Sequence, residues 1–113
     1  MKFTESLKKN RDFRYIYKKG KSYANRYLVI YVDKNDMGIN RLGISVSKKV
    51  GNSVVRHRIT RLIRESYRLE EEYFSDGLDI IVIGRASIAG KSYEEVKSAF
   101  IHLAKIHKIY NRK

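Results

Sequence analysis

Residues 78–84, Leu-Asp-Ile-Ile-Val-Ile-Gly, are a nearly continuous apolar run. Such a run reads as a buried central strand, apolar on both faces instead of alternating. The neighbouring segments supply what packs around it. Upstream, Arg41 to Ser47 alternates Leu42, Ile44 and Val46 with Gly43, Ser45 and Ser47. One face of that strand is apolar and the other small, the pattern expected where something approaches closely. Earlier still, Arg26 to Asp33 is rich in β-branched and aromatic residues and reads as a third strand. Its alternation sends Leu28, Ile30 and Val32 one way and Tyr27, Val29 and Tyr31 the other. The polar stretch between these two strands, with Gly38 in it, predicts a hairpin.

Helical spacing accounts for the rest. Asn10 is placed to cap a short helix reaching about Lys19, with Asp12 in its first turn and Lys18 and Lys19 in its last. Gly20 then suits the position just past its end. Phe13, Ile16 and Tyr17 share one face of it. Asn52 or Ser53 starts a long helix running to about Tyr73. Ser92 and Glu95 have capping-box spacing and open a last helix, with Val96, Phe100 and Leu103 as its core face. The basic tail from Lys108 on is expected to fray. The order α-β-β-α-β-α predicts an α+β sandwich, three helices against a small mixed sheet. No linker or repeat interrupts the 113 residues, so 1–113 reads as one domain.

Charge then narrows the function. Lys and Arg number 25 against 12 Asp and Glu, a formal net charge of +13. Self-repulsion of that size opposes folding, and an anionic partner, nucleic acid or acidic membrane, is the simplest reason to carry it. There is no Cys, so disulfides and thiolate metal sites are excluded. No apolar run approaches the ~20 residues of a membrane span, and the first ten residues lack the apolar core of a secretory signal. A cytoplasmic setting is the expectation.

The excess is concentrated on the long helix. Val55, Ile59, Leu62, Ser66 and Leu69 form one stripe, with Ile63 at its edge. His57, Arg61, Arg64 and Arg68 lie opposite, and Arg56 and Arg58 fall on the flanks. A solvated face is the plain reading of charged helix residues. Such faces usually interleave Glu with Lys at i,i+4, whereas here the interior of the face is arginine. Arginine's planar fork suits phosphate better than lysine's point charge. Lys48, Lys49 and the backbone N–H groups at the helix start add a second phosphate-compatible feature.

At this length the stretch from Ser45 to Glu65, "SVSKKVGNSVVRHRITRLIRE", resembles the signature of the bacterial ribonuclease P protein family, K-K-x-G-x-A-V-x-R-N-R-x-K-R-x-x-R. Residues 7–31, "LKKNRDFRYIYKKGKSYANRYLVIY", are similar to that family's N-terminal helix and first strands. The resemblance runs from about Leu7 to about Ile106. It implies a fold like the second domain of ribosomal protein S5, with a left-handed βαβ crossover around the basic helix. It also implies a protein that binds a large catalytic RNA and helps it remove the 5′ leader of precursor tRNA, with Mg2+ bound mainly by the RNA. On that resemblance Arg56, Arg58, Arg61 and Arg64, with Lys48, Lys49 and Asn52 beside them, are the expected contacts to the catalytic RNA. His57 and Arg68 complete the candidate face. Phe13, Tyr17 and Tyr31 match aromatic positions of a cleft, between the basic helix, the first helix and the sheet, that takes the single-stranded leader. Two positions depart from the signature: His57 replaces its Asn and Thr60 its Lys. The partners implied are the catalytic RNA and the leader, with neither DNA nor membrane, and one protein monomer per RNA.

Without the resemblance, Phe13 and Tyr17 read as plain core with Ile16, since aromatic stripes usually are. Tyr31 divides evenly between core and cleft. No catalytic or metal-ligating set of residues emerges. His102 and His107 are five apart and share no helix face, and the acids are scattered without a pair set for acid–base work. The rivals are a ribosomal or other structural RNA-binding protein, a helix-turn-helix DNA binder, against which the strand after the basic helix argues, and a nuclease acting without RNA.

Overall fold

A computed structural model of the chain describes residues 2–112. Its elements are β1 (Thr4–Ser6), α1 (Asn10–Lys19), β2 (Lys21–Ala24), β3 (Leu28–Lys34), β4 (Asn40–Val46), α2 (Ser53–Arg68), β5 (Leu78–Gly84) and α3 (Tyr93–Ile106). Single 3-10 turns stand at Glu71–Tyr73 and Ala86–Ile88. This is the expected α+β arrangement of three helices on a mixed sheet, with five strands in the order β1-β4-β5-β3-β2.

The apolar run at 78–84 takes the central place. β5 pairs parallel with β4 on one side and antiparallel with β3 on the other. The hairpin expected between β3 and β4 therefore does not form, because β5 is inserted between them. A strand apolar on both faces is stabilised most where both faces and both edges are covered. The hairpin that does form joins β2 to β3. Asn25 makes its turn, its Oδ1 accepting from the N–H groups of Tyr27 (3.2 Å) and Leu28 (3.0 Å). β1 and β2 escape sequence reading because each is short and polar.

The sheet has a core on each face. Leu28, Ile30, Leu42, Ile80 and Val82 pack with Ile59, Ile63 and Tyr67 of α2 and with Val96, Phe100 and Leu103 of α3. On the other face Ile81 packs with Leu7 and Ile16, flanked by Phe13, Tyr31 and Ile83. Gly43 lies under α1 on this face: a Cβ there would stand 2.6 Å from Phe13 Cζ. The small residue expected to accept a close neighbour thus has one.

Several local expectations are corrected. Lys9 holds the cap position of α1 without a side-chain bond, and Asn10 is the first helical residue. Gly20 has φ −76°, so it is not a left-handed cap. Its lack of a Cβ serves a close approach instead, since a Cβ would sit 2.7 Å from Ile16 O and 3.1 Å from Val32 O. α2 ends at Arg68, not Tyr73. Beyond it Glu70 and Glu71 turn inward to work: Glu71 accepts from the backbone N–H groups of Lys2 (2.9 Å) and Phe3 (3.0 Å). The buried stripe of α2 is rotated toward Tyr67, which is fully buried, leaving Leu69 50% exposed. The tail is docked, not frayed: Ile109 is buried, Tyr110 bridges Phe74, and Arg112 Nη1 donates to Glu70 at 2.9 Å.

Candidate nucleic-acid interface

Two surfaces gather the candidate residues, one on each side of the sheet. The first is the outer face of α2. Asn52 caps this helix, its Oδ1 accepting from Val55 N–H at 3.0 Å. Lys48 and Lys49 are exposed just ahead of it. His57, Arg58, Arg61, Arg64 and Arg68 are all exposed, while Arg56 is half-buried. Val54, the apolar edge of Leu62 and the exposed cations enclose a shallow trough of about 570 Å³ along the helix.

The cations are not equivalent. Arg68 forms an ion pair with Glu65 one turn earlier. Its hydrogen bond holds the Glu65 carboxyl below the usual carboxylate range. Arg58 Nη2 donates to the carbonyl of Lys91 at 3.0 Å, which leans it toward the start of α3. Among the described residues Arg61 and Arg64 enter no ion pair, so their guanidinium forks point outward with donors unused. Thr60, where the signature has Lys, turns its hydroxyl back onto the carbonyl of Arg56 at 2.9 Å. Its one donor is used locally, which leaves only its oxygen as an acceptor, whereas exposed His57 can still donate.

The second surface lies under α1. Phe13 and Tyr17 meet edge-on at 6.2 Å between ring centroids, and Tyr17 meets Tyr31 of β3 at 5.0 Å. The three aromatic residues chosen from the sequence are thus brought together across two elements. Tyr17 is 38% exposed, and Phe13 and Tyr31 are half-buried. Partial burial raises the Tyr17 hydroxyl pKa, an effect opposed by Ser45 beside it. A cleft of about 590 Å³ opens here, lined by Lys8, Phe13, Arg14, Tyr17, Ile44 and Ser45 among others. No residue of α2 lines it. The cleft expected between the basic helix, α1 and the sheet is therefore built without that helix, because α2 packs on the opposite face. Ser45 was not legible as a member of the site, since no local pattern says that α1 lies beside β4.

α1 is anchored over the sheet by charge as well as packing. Arg41 donates to Asp79 from Nε (2.8 Å) and Nη2 (2.7 Å), and its Nη1 stands 3.6 Å from Asp12 of α1. Burial works to raise the pKa of Asp79, but hydrogen bonds from Arg41 and Asn35 outweigh it and keep the carboxyl below its ordinary value. The three histidines stay apart. His102 is bonded to Asn25, His107 to the carbonyl of Ile30 at 2.8 Å, and His57 faces outward. Among the described residues no group of three or more His, Asp or Glu is placed to hold a metal ion.

Chemically, the first surface is a row of planar cationic forks whose one carboxylate, Glu65, is tied to Arg68, a set suited to phosphate oxygens. The second is a set of aromatic edges and faces in a basic groove, suited to unstacked bases.

Comparison with known proteins points the same way. The family model for ribonuclease P matches residues 1–108. A ribonuclease P protein component from Lachnoclostridium phytofermentans is 64% identical over 106 residues, covering 94% of this chain and 91% of that protein. One from Clostridium botulinum is 52% identical over 106 residues, covering 93% of this chain and 96% of that protein. Among solved structures, the RNase P protein of Staphylococcus aureus matches with a TM-score of 0.88 at 43% identity, covering 94% of this chain and 97% of that one. The RNase P protein of Thermotoga maritima matches with a TM-score of 0.83 at 35% identity, covering 90% and 96%.

Proposed function

This chain belongs to the ribonuclease P protein family, and from that premise we propose that its two surfaces divide the substrate-handling work of the enzyme. The chain is the protein subunit of ribonuclease P, one part of a ribonucleoprotein endonuclease whose other part is an RNA. In this reading the α2 face, with Lys48, Lys49, Asn52, Arg56, His57, Arg58, Arg61, Arg64 and Arg68, docks on the catalytic RNA. The cleft of Phe13, Tyr17 and Tyr31 holds the 5′ leader of precursor tRNA. The observation that carries it is the groove in which Phe13 and Tyr17 stand with Lys8 and Arg14, with Tyr31 packed edge-on against Tyr17 behind it.

Docking neutralises RNA charge and releases counterions, which makes it strongly salt-dependent. Holding the leader positions the scissile phosphate without contributing a reacting group. Mg2+, held mainly by RNA phosphates and water, supplies the metal-assisted attack of water. The protein side is a single RNA-binding domain over residues 1–113, acting in the cytoplasm as one monomer per RNA and binding neither DNA nor membrane. Among the described residues no helix is long and apolar enough to cross a membrane.

The test is cleavage of precursor tRNA with Mg2+, with and without the cognate ribonuclease P RNA, at near-physiological salt. Leader removal enhanced by the protein only when the RNA is present is the expected result. Cleavage by the protein alone would place the chemistry on the protein and overturn this division.

A further inference from the structure

β1 covers only the first part of β4. Its register pairs Thr4, Glu5 and Ser6 with Asn40, Arg41 and Leu42, and Leu7 N–H then donates to Leu42 O at 2.9 Å. After Lys8 the chain leaves to start α1. β4 continues to Val46, and from Gly43 onward its only strand neighbour among the described residues is β5. In a parallel ladder a residue's N–H and C=O point to the same side, and alternate residues share that side. Leu42 faces β1, so the main chain of Ile44 faces the same way, where no strand follows. That open edge is a wall of the cleft beside α1.

The same cleft holds two exposed cations, Lys8 and Arg14. Among the described residues neither forms an ion pair, although the neighbouring Asp12 is engaged by Arg41. Ser45, Tyr17 and Phe13 line it as well. A peptide strand added to this edge would use the two uncompensated cations only if it carried acids in the matching register. A nucleotide uses every part: a phosphate for the cations, an aromatic edge for the base or sugar, and a main-chain donor and acceptor for a base edge.

Resting on the proposal that the cleft takes the leader, we infer that it contains a single-nucleotide subsite between α1 and the open edge of β4. Lys8 and Arg14 grip one leader phosphodiester there, and the main chain of Ile44 faces the attached base. Lys8 and Arg14 thereby fix the register in which the leader lies.

The experiment binds the reconstituted holoenzyme to precursor tRNA carrying one neutral methylphosphonate linkage, moved along the leader one position at a time. In the wild type one linkage is expected to weaken binding by about tenfold, the worth of a charge-assisted bond. The double variant Lys8→Gln/Arg14→Gln should weaken unmodified substrate comparably. It should also flatten the dependence of log K on log salt by about 0.7 per lost single-strand contact. In that variant the sensitive linkage should lose its effect, and Arg14→Lys should recover most of the slope. Both side chains are exposed, so an unchanged melting curve is expected and separates lost contact from lost fold. The same sensitive linkage in variant and wild type overturns the subsite and leaves the cleft reading intact. Equal wild-type affinity for leader-bearing and mature tRNA overturns the cleft reading, and the subsite with it.

Discussion

The outer face of α2 and the cleft under α1 are both basic, yet they are built by different means. The α2 face comes from one helix: its cations are set by 3.6-residue spacing and need no second element to bring them together. The cleft needs α1, the turn at residues 7–8, β3 and β4 in register, because Tyr17 of α1 meets Tyr31 of β3 and Ser45 of β4 only through the sheet. The α2 face should therefore tolerate loss of single residues gradually and respond to salt. The cleft should respond to packing changes made some distance from any RNA.

The strongest break of this contrast targets Arg61 and Arg64, both exposed and neither in an ion pair among the described residues. Arg61→Ala and Arg64→Ala should each weaken binding to the catalytic RNA by about 1–3 kcal/mol, and together flatten the salt slope by about 1.8 on duplex RNA-like charge density. Filter binding across a salt series reads both, and an unchanged slope in the pair would reduce the face to solvated surface. Next in size, Tyr17→Ala should cost leader-bearing substrate about 1–3 kcal/mol of affinity, the worth of one stacked base, and mature tRNA much less. Equal losses would point to altered packing.

Gly43→Ala probes the cleft from beneath. Its methyl would meet the Phe13 ring at 2.6 Å, so Phe13 must move, at a cost of about 1–3 kcal/mol of stability from overpacking. Leader affinity should fall while catalytic-RNA affinity holds, and a denaturant melt beside the two binding curves checks this. A smaller effect is expected on the α2 face itself. Arg68 is held by Glu65, so Arg68→Ala should weaken RNA binding less than Arg61→Ala, and Glu65→Gln should strengthen it a little by releasing Arg68.

The last prediction lies outside both surfaces and serves as their control. His107 is half-buried against Tyr23, its Nε2 is 2.8 Å from the carbonyl of Ile30, and burial lowers its pKa below the ordinary 6.5. The folded state then binds its proton less readily than the unfolded state, so stability falls as pH drops below that ordinary value. His107→Gln should flatten stability against pH in the range just below 6.5, measured by urea melts, without moving the salt slope of RNA binding.

Much of this was legible along the chain because it depends on near neighbours. The polar face of α2, the capping box at Ser92, the burial of residues 78–84 and the small face of β4 all follow from residues a few positions apart. The family signature lies in the same stretch, so the face proposed to dock on RNA could be picked out before any fold was known. What was misread involved partners far apart in sequence. β5 displaces the expected β3–β4 hairpin because central burial is decided by the whole sheet. α2 stops at Arg68 because Glu70 and Glu71 are claimed by Arg112 and by the backbone at residues 2 and 3. The docked tail has the same origin.

The sequence by itself determined that the chain carries an arginine-faced helix, an apolar central strand and a family signature, since charge, hydrophobic period and motif spacing are properties of consecutive residues. Only the tertiary structure decided that the aromatic cleft excludes α2, that Lys8 and Arg14 border it, and that the edge of β4 is left open. Those facts depend on strand order and on which sheet face each helix covers. They are settled by burial of the whole core, and no local stretch encodes that.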